Sequence, residues 1–132
     1  MRQILINNTP GLARLVKQIE HEAQTGWIKC LDGGYARVRS SHAALNTKLQ
    51  SAGSIVMKQT SIFIDQRVTE RGIDSLKVLD VHDEGQHDVD PKAAKEFGEL
   101  AVQALLDAGE ELGVSAPTKG EYKIGNNWSE TH

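Results

Sequence analysis

Two neighbouring carboxylates, Asp83 and Glu84, lie in the stretch of this sequence that is best suited to chemistry. They follow an alternation of apolar and polar residues over 76–81, which is typical of a β-strand. Gly85 is expected to let the backbone reverse, so that a return strand leads to Val89. Because like charges at one hairpin tip repel each other, a bound cation would relieve the repulsion.

The same residues have two other interpretations. Asp is common in solvated turns, so the pair could simply belong to an exposed loop. His82 and His87, together with Asp83 and Asp88, also suggest a transition-metal site. Two histidines without a nearby cysteine form a weak ligand set, so the transition-metal interpretation is disfavoured.

The size and composition are those of a single domain of 132 residues with its own core. Cys30 is the one cysteine, so no internal disulfide can form, which fits a reducing compartment. The sequence shows no signal peptide and no apolar run near 18 residues. We therefore expect a soluble intracellular protein without a membrane partner.

The charge is divided unevenly along the chain. The net charge is −3, but residues 1–60 hold eight basic and three acidic residues, and residues 61–132 hold seven basic and fifteen acidic ones. This division fits a protein that contacts phosphate with one half and a cation with the other. Chance asymmetry in a small domain is the alternative.

The first sixty residues predict a helix and a hairpin. Thr9 as N-cap and Pro10 at the first position start a helix that ends at Gly26. Residues 27–31 and 35–39 then form two strands around a turn at 32–34. Arg37 and Arg39 lie on one face of this hairpin, where they could contact phosphate or be scattered surface arginines.

A long helix is predicted from His42 to Arg71. His42, Asn46 and Gln50 recur at i, i+4 and i+8 and form one polar ridge. Amide side chains both donate and accept hydrogen bonds, as contacts in a nucleic-acid groove require, although an exposed polar face is the alternative. Gly53 inside the helix suggests a closely packed neighbour.

The remaining residues predict a third helix, a strand and a turn. Asp90 caps the helix, Pro91 opens it and Gly113 ends it. Residues 121–124 form a last strand, and Trp128 serves as an aromatic anchor after it. The predicted fold class is therefore α+β, with antiparallel β-hairpins and three main helices in a single domain over residues 1–132.

Three of these segments, residues 42–53, 81–84 and 125–128, occur in an order and spacing that resembles the C-terminal end of family A (DNA polymerase I-like) DNA polymerases. Segments 8–10, 27–29, 31–33 and 38–40 are similar to the replicative polymerases of short-tailed phages. The resemblance covers the chain from about Asn8 to its end.

The resemblance implies that the chain is part of a polymerase palm and that residues 81–84 are its motif C. Asp83 matches the aspartate that binds two catalytic Mg²⁺ ions, and Glu84 matches its less critical neighbour. His82 matches the residue beside the primer terminus. These three residues are the predicted catalytic set, with Asp83 and Glu84 as metal ligands.

The resemblance also implies a primer-template interface. Asn46 and Gln50 fall on positions that contact the minor groove, and His42 stands where many family members have arginine. Arg37 and Arg39 complete the predicted DNA-binding set. Residues 125–128 match the closing segment of the family near the palm.

The implied chemistry is attack by the primer 3′-hydroxyl on the α-phosphate of a deoxynucleoside triphosphate, with two Mg²⁺ ions. The motif A aspartate and the motif B helix lie upstream of where this chain begins. We therefore expect polymerisation only with a partner chain that carries both motifs. A homo-oligomer of the isolated chain, a non-catalytic DNA-binding fragment and an inactive remnant are the alternatives.

Overall fold

The computed structural model describes residues 8–132, so residues 1–7 of the predicted single domain lie outside the described part. The chain divides into two compact units, the first ending at Ala52 and the second running from Gly53 to His132, and each is described by itself. The α+β fold class with antiparallel hairpins is confirmed. No helix within residues 8–132 is both long and apolar enough to cross a bilayer.

The elements are α1 (Pro10–Ala23), β1 (Trp27–Lys29), β2 (Tyr35–Arg37), α2 (Ser41–Arg71), β3 (Ser75–Val81), β4 (Glu84–Val89), α3 (Ala94–Glu111) and α4 (Trp128–Thr131). β1 pairs with β2 and β3 pairs with β4, both antiparallel, in two separate two-stranded sheets. α2 runs from the first unit into the second.

Helix α1 begins at Pro10, as predicted, because the fixed φ of proline suits a first helical turn. Thr9 occupies the N-cap position, as predicted, although its side chain makes no capping hydrogen bond. The helix ends at Ala23, and Gly26 follows with a φ of 82°. That left-handed conformation suits glycine and turns the chain into β1.

The first unit has a small apolar core beneath the β1–β2 hairpin. Ile28 pairs with Ala36 across the hairpin, and both strands are shorter than predicted. Lys48 on α2 forms an ion pair with Glu22 on α1 at 3.4 Å. The buried side chains come from all parts of the unit: Ile19, Ile28, Val38 and Ala44.

Helix α2 is continuous over 31 residues, close to the predicted bounds. Its stretch in the second unit buries one residue per turn: Val56, Thr60, Ile64 and Val68. The Thr60 hydroxyl donates to the Val56 carbonyl at 2.8 Å, so this buried polar group is satisfied. A Cβ built on Gly53 would meet no described atom within 4 Å, so the predicted close neighbour is absent from residues 8–132.

Helix α3 begins at Ala94, three residues after Pro91, so the prediction that Pro91 opens it is wrong. The Asp90 carboxylate instead accepts a hydrogen bond from the Lys92 backbone N–H at 2.9 Å and caps a turn ahead of the helix. Gly113 follows the end of the helix with a φ of 70°, as predicted for a C-terminal glycine.

The core of the second unit lies between α2 and α3. Arg67 forms an ion pair with Asp107 across these helices and also lies 5.3 Å above the Phe63 ring centre. The pKa of Asp107 is lowered by hydrogen bonds from Gln103 and Arg67. The buried core residues are Ile64, Val68, Phe97, Leu100 and Ala104, and Ile73 and Val89 pack against them.

Residues 114–124 form an irregular segment, which we call the C-terminal strap, that packs against α3. The strand predicted over 121–124 is therefore wrong. A Cβ built on Gly98 would lie 2.3 Å from the Tyr122 ring, and one on Gly109 would lie 2.4 Å from Thr118. The Thr118 hydroxyl also donates to the Leu105 carbonyl at 2.8 Å. Two glycines of α3 thus make room for the strap.

The two helical glycines provide a matched test of this packing. Gly53→Ala should raise the free energy of unfolding by about 1 kcal/mol, because alanine is the better helix former and the site is open. Gly98→Ala should not raise the free energy of unfolding, because the added methyl group would displace Tyr122. The displaced strap should then be cut faster in limited proteolysis. Urea unfolding and proteolysis check both; equal stabilisation by both variants would contradict the strap packing.

Candidate functional site

The β3–β4 hairpin carries the candidate catalytic residues on a two-residue turn. Val81 pairs with Glu84 and Asp80 pairs with Gly85, which leaves His82 and Asp83 as the connection. The register shifts between Lys77 and Leu79, so the ladder is irregular near the middle of β3. The predicted hairpin is thus present, with a tighter turn than expected.

The backbone reversal takes place at His82, with a φ of 55°, so the prediction that Gly85 provides it is wrong. A non-glycine residue in the left-handed region is uncommon, although histidine tolerates it better than most residues. Gly85 instead lies within β4. Holding His82 in this conformation costs about 1 kcal/mol or more, so the surrounding hairpin must stabilise the turn.

Asp83 is exposed at the turn, and its carboxylate has no hydrogen bond or ion pair with residues 8–132. A carboxylate in this position can serve as an oxygen ligand for a hard cation such as Mg²⁺. No group of three or more His, Cys, Asp or Glu in the described part could hold a metal ion. These residues therefore fit one portion of a magnesium site, and they do not form the alternative transition-metal site.

Glu84 differs from Asp83 because both of its carboxylate oxygens have partners. Oε1 accepts hydrogen bonds from the Gln86 amide and, at 3.0 Å, from the Trp128 indole Nε1, while His132 Nδ1 lies 3.0 Å from Oε2. Hydrogen bonds from Gln86, His132 and Trp128 lower the pKa of Glu84. The sequence predicted repulsion between the two carboxylates. In the structure, hydrogen-bond donors of the chain itself stabilise the negative charge of Glu84.

Two of these donors lie at the end of the chain, Trp128 in α4 and His132 directly after it. Glu130 accepts hydrogen bonds from the Asn126 backbone at 2.8 Å and the Asn127 amide at 2.7 Å, and so closes the single turn. The rings of Trp128 and His132 meet edge to face at 5.5 Å. Trp128 was predicted as an anchor, but His132 was missed; its i, i+4 spacing from Trp128 was the available signal.

His87 fixes the hairpin to the core of the second unit. Its ring lies 4.8 Å from the Phe97 ring and is half-buried. Burial is the main cause that lowers the pKa of His87; the nearby Lys77 lowers it further, and Asp80 opposes the shift. The packing against Phe97 gives His87 a structural role in attaching the hairpin to the core.

The first unit carries the predicted phosphate contacts. Arg37 and Arg39 are both exposed. Strand alternation puts Lys29 and Tyr35, which is 69% exposed, on the same side of β1–β2 as Arg37, opposite the buried Ile28. Tyr35 and its exposed neighbour Trp27 were missed from sequence, although the alternation itself could have identified this aromatic and basic face.

The predicted polar ridge is also exposed. His42, Asn46 and Gln50 all face solvent, while Ala44 is buried in the core of the first unit. Eight residues of helix span about 12 Å, so the ridge can follow several nucleotides. The hairpin turn with Asp83 belongs to the second unit and the ridge to the first.

Comparison with known proteins identifies the family of this chain. The chain is 34% identical to the polymerase of Escherichia phage Phieco32 and 32% identical to that of Escherichia phage T7, with 100% of this chain aligned to 23% and 22% of those proteins. Residues 21–130 match the model of DNA polymerase family A. The chain belongs to this family, and the resemblance found in the sequence is confirmed.

A solved structure shares the fold of this chain. The structure superposes with a TM-score of 0.68 on the POL domain of Pol1 from M. smegmatis in a complex with DNA primer-template and dNTP. The sequence identity is 21%, and the match covers 75% of this chain and 20% of that one. This chain thus spans about a fifth of the length of its polymerase relatives.

The environment of His87 predicts a pH-dependent stability. The folded protein disfavours protonation of His87, whereas the unfolded chain has a pKa near 6.5, so the unfolded state binds the proton first. This contribution to stability should be complete above about pH 6.5 and should be lost as the pH falls through and below that value. His87→Leu should remove this part of the decrease in the free energy of unfolding at low pH, as measured by urea unfolding. Lys77→Gln should raise the pKa of His87, as measured by an NMR titration. An unchanged pH slope in His87→Leu would contradict the assignment.

Proposed function

We propose that this chain supplies the motif C hairpin and the primer-template helix of a DNA-directed DNA polymerase. A partner chain with motifs A and B would complete the catalytic centre. The observation that carries this proposal is the exposed carboxylate of Asp83 on a tight turn, without a partner among residues 8–132, in a member of DNA polymerase family A.

The role proposed for Asp83 is that of one oxygen ligand in a divalent metal site. Bound Mg²⁺ would supply Lewis-acid assistance to nucleotidyl transfer. His82, exposed on the same turn, would lie beside the primer terminus. The Glu84 carboxylate is adjacent in sequence but already has three hydrogen-bond partners, so the remaining metal ligands must come from outside residues 8–132.

The surface of β3 supports completion by a partner. The side chains of Leu76 and Val78 are 65% and 60% exposed, which is unusual for apolar residues of a strand. Within the described residues β3 pairs only with β4, so its other edge has free backbone groups. A strand of the partner that paired there would satisfy these backbone groups and partly cover the two side chains. Self-pairing of the isolated chain is the alternative.

The proposed DNA contacts divide into two kinds. Arg37 and Arg39 would neutralise backbone phosphates, and Asn46 and Gln50 would donate to and accept from base edges in the minor groove. The solved relative that shares this fold contains primer-template DNA and a dNTP, which supports both as partners of the completed enzyme. His42 would contact the duplex at the first turn of the ridge.

A second candidate function is DNA binding without chemistry. The absence of a complete metal-ligand group from residues 8–132 favours it. The two candidates differ in what Asp83 contributes, because phosphate and groove contacts do not require that carboxylate. Duplex binding that survives loss of Asp83, without any primer extension, would favour the second candidate.

The catalytic proposal is tested with Asp83→Asn in the tagged chain, isolated together with its bound partner. Primer extension with Mg²⁺ should fall by at least about a hundredfold, because a charged metal ligand is lost. Asp88→Asn, which removes an exposed carboxylate from the same hairpin, is the matched control and should retain extension. Extension that is equal in both variants would overturn the metal-ligand role.

The binding proposal predicts different salt dependences for the two kinds of contact. Arg37→Gln and Arg39→Gln should each reduce the slope of log K against log salt by about 0.9, because each removes one phosphate contact. Asn46→Ala and Gln50→Ala should weaken duplex binding with little change in slope. Lys95→Gln in the second unit is the control. Fluorescence anisotropy at several salt concentrations checks all five variants, and uniform slopes would contradict the proposed interface.

A further inference from the structure

We propose that Glu84 is a positioning residue: its carboxylate anchors helix α4 to the β3–β4 hairpin and thereby holds the turn that carries Asp83. This inference rests on the proposed function, because it assigns the second carboxylate of the motif a role other than metal binding. It replaces the expectation from sequence that both Asp83 and Glu84 bind metal.

The first support is the occupancy of the Glu84 carboxylate. An ionised carboxylate offers about four lone-pair sites. Three of them face donors here, from Gln86 within the hairpin and from Trp128 and His132 at the end of the chain. Charge-assisted hydrogen bonds of this kind are about twice as strong as neutral ones. A metal ion would have to displace at least one donor to reach Glu84.

The second support is the shallow burial of α4 and its hydrogen bonds to the hairpin. None of its residues is buried, and Trp128 remains 48% exposed. The hydrogen bonds to the hairpin come from Trp128 and His132 to Glu84, and from the Thr131 hydroxyl to the Gln86 amide oxygen at 3.2 Å. The Glu84 carboxylate is the centre of this group.

The third support is the path of the chain before α4. The C-terminal strap packs on α3 through Tyr122 at Gly98 and Thr118 at Gly109, so the chain reaches α4 from an anchored position. Only residues 125–127 separate the strap from α4. A short tether raises the effective concentration of the donors near Glu84, which favours their hydrogen bonds.

The last step connects the anchor to Asp83. Glu84 is the first residue of β4 and pairs with Val81 across the two-residue turn. The turn holds His82 at a φ of 55°, a conformation that persists only where the surroundings over-determine it. Fixing the Glu84 side chain restricts the residue next to Asp83 and so limits the orientations that the turn can adopt.

The test uses the full 132-residue chain and two variants that break the same contact from opposite sides. Glu84→Gln removes the charge, and Trp128→Phe removes the indole donor but keeps an aromatic ring. Asp88→Asn is the matched control on β4. Trp27→Phe identifies the indole N–H signal of Trp128 in ¹H–¹⁵N spectra, because the chain has only two tryptophans.

The expected result has three parts. Both variants should increase release of the C-terminal residues by carboxypeptidase about tenfold or more, since each breaks a hydrogen bond to a charged group. Both should shift the backbone amide signals of His82 and Asp83. The effect of Trp128→Phe on the turn is the decisive one, because Trp128 lies 44 residues from Glu84 in the sequence. The double variant should add little to either single variant.

Addition of Mg²⁺ alone separates anchoring from metal binding. If Glu84 is an anchor, millimolar Mg²⁺ leaves the Trp128 indole signal unchanged. A shift of that signal towards its position in Glu84→Gln would show that the metal takes Glu84 from α4, and would overturn the proposal. The proposal would also be overturned if Trp128→Phe had the same carboxypeptidase rate and the same turn signals as the wild-type protein.

The same variants in primer extension keep this inference distinct from the proposed function. Anchoring predicts that Trp128→Phe slows extension in the same direction as Glu84→Gln, without weakening Mg²⁺ dependence. Extension that requires Asp83 but is unaffected by Trp128→Phe would refute the anchor and retain the polymerase function. Release of α4 by both variants, with no extension in any sample, would refute the function and retain the anchor.

Discussion

The packing of Phe97 between α2 and α3 is the interaction on which the second unit depends. Its ring is buried against Ile64 and Val68 on one side and contacts His87 of the hairpin. The next residue, Gly98, provides the space that receives Tyr122 of the strap. Truncating a buried phenylalanine typically costs about 3–5 kcal/mol, but here the hairpin and the strap would also lose a common support.

The sequence was sufficient for features that depend on local patterns. The bounds of α2 and the presence of both hairpins follow from periodicity and from turn residues, which are encoded within a few positions. It was insufficient where a distant partner decides the conformation. Residues 121–124 alternate like a strand, yet Tyr122 packs on a helical glycine and finds no strand to pair with.

The local sequence of the hairpin turn also did not identify which residue has a positive φ. Glycine is the usual residue for positive φ, so Gly85 was the reasonable choice from sequence. The register instead pairs Gly85 with Asp80 and leaves the strained position to His82. Register is set by the packing of the whole hairpin, including His87 on Phe97, and this information is not contained in the four residues of the turn.

Asp83 and Glu84 were both predicted as metal ligands, but their carboxylates have different surroundings in the structure. A cation was expected to relieve the repulsion between them, but donors from residues 86, 128 and 132 already stabilise Glu84 in its ionised form. This leaves one unpaired carboxylate at the turn, and one carboxylate holds a hydrated Mg²⁺ ion only weakly. In the proposed enzyme, therefore, metal binding and completion of the catalytic centre are thermodynamically linked, because tight binding requires ligands that arrive with the partner. Such a chain would bind DNA through its basic first unit without acquiring metal-dependent chemistry until the centre is assembled.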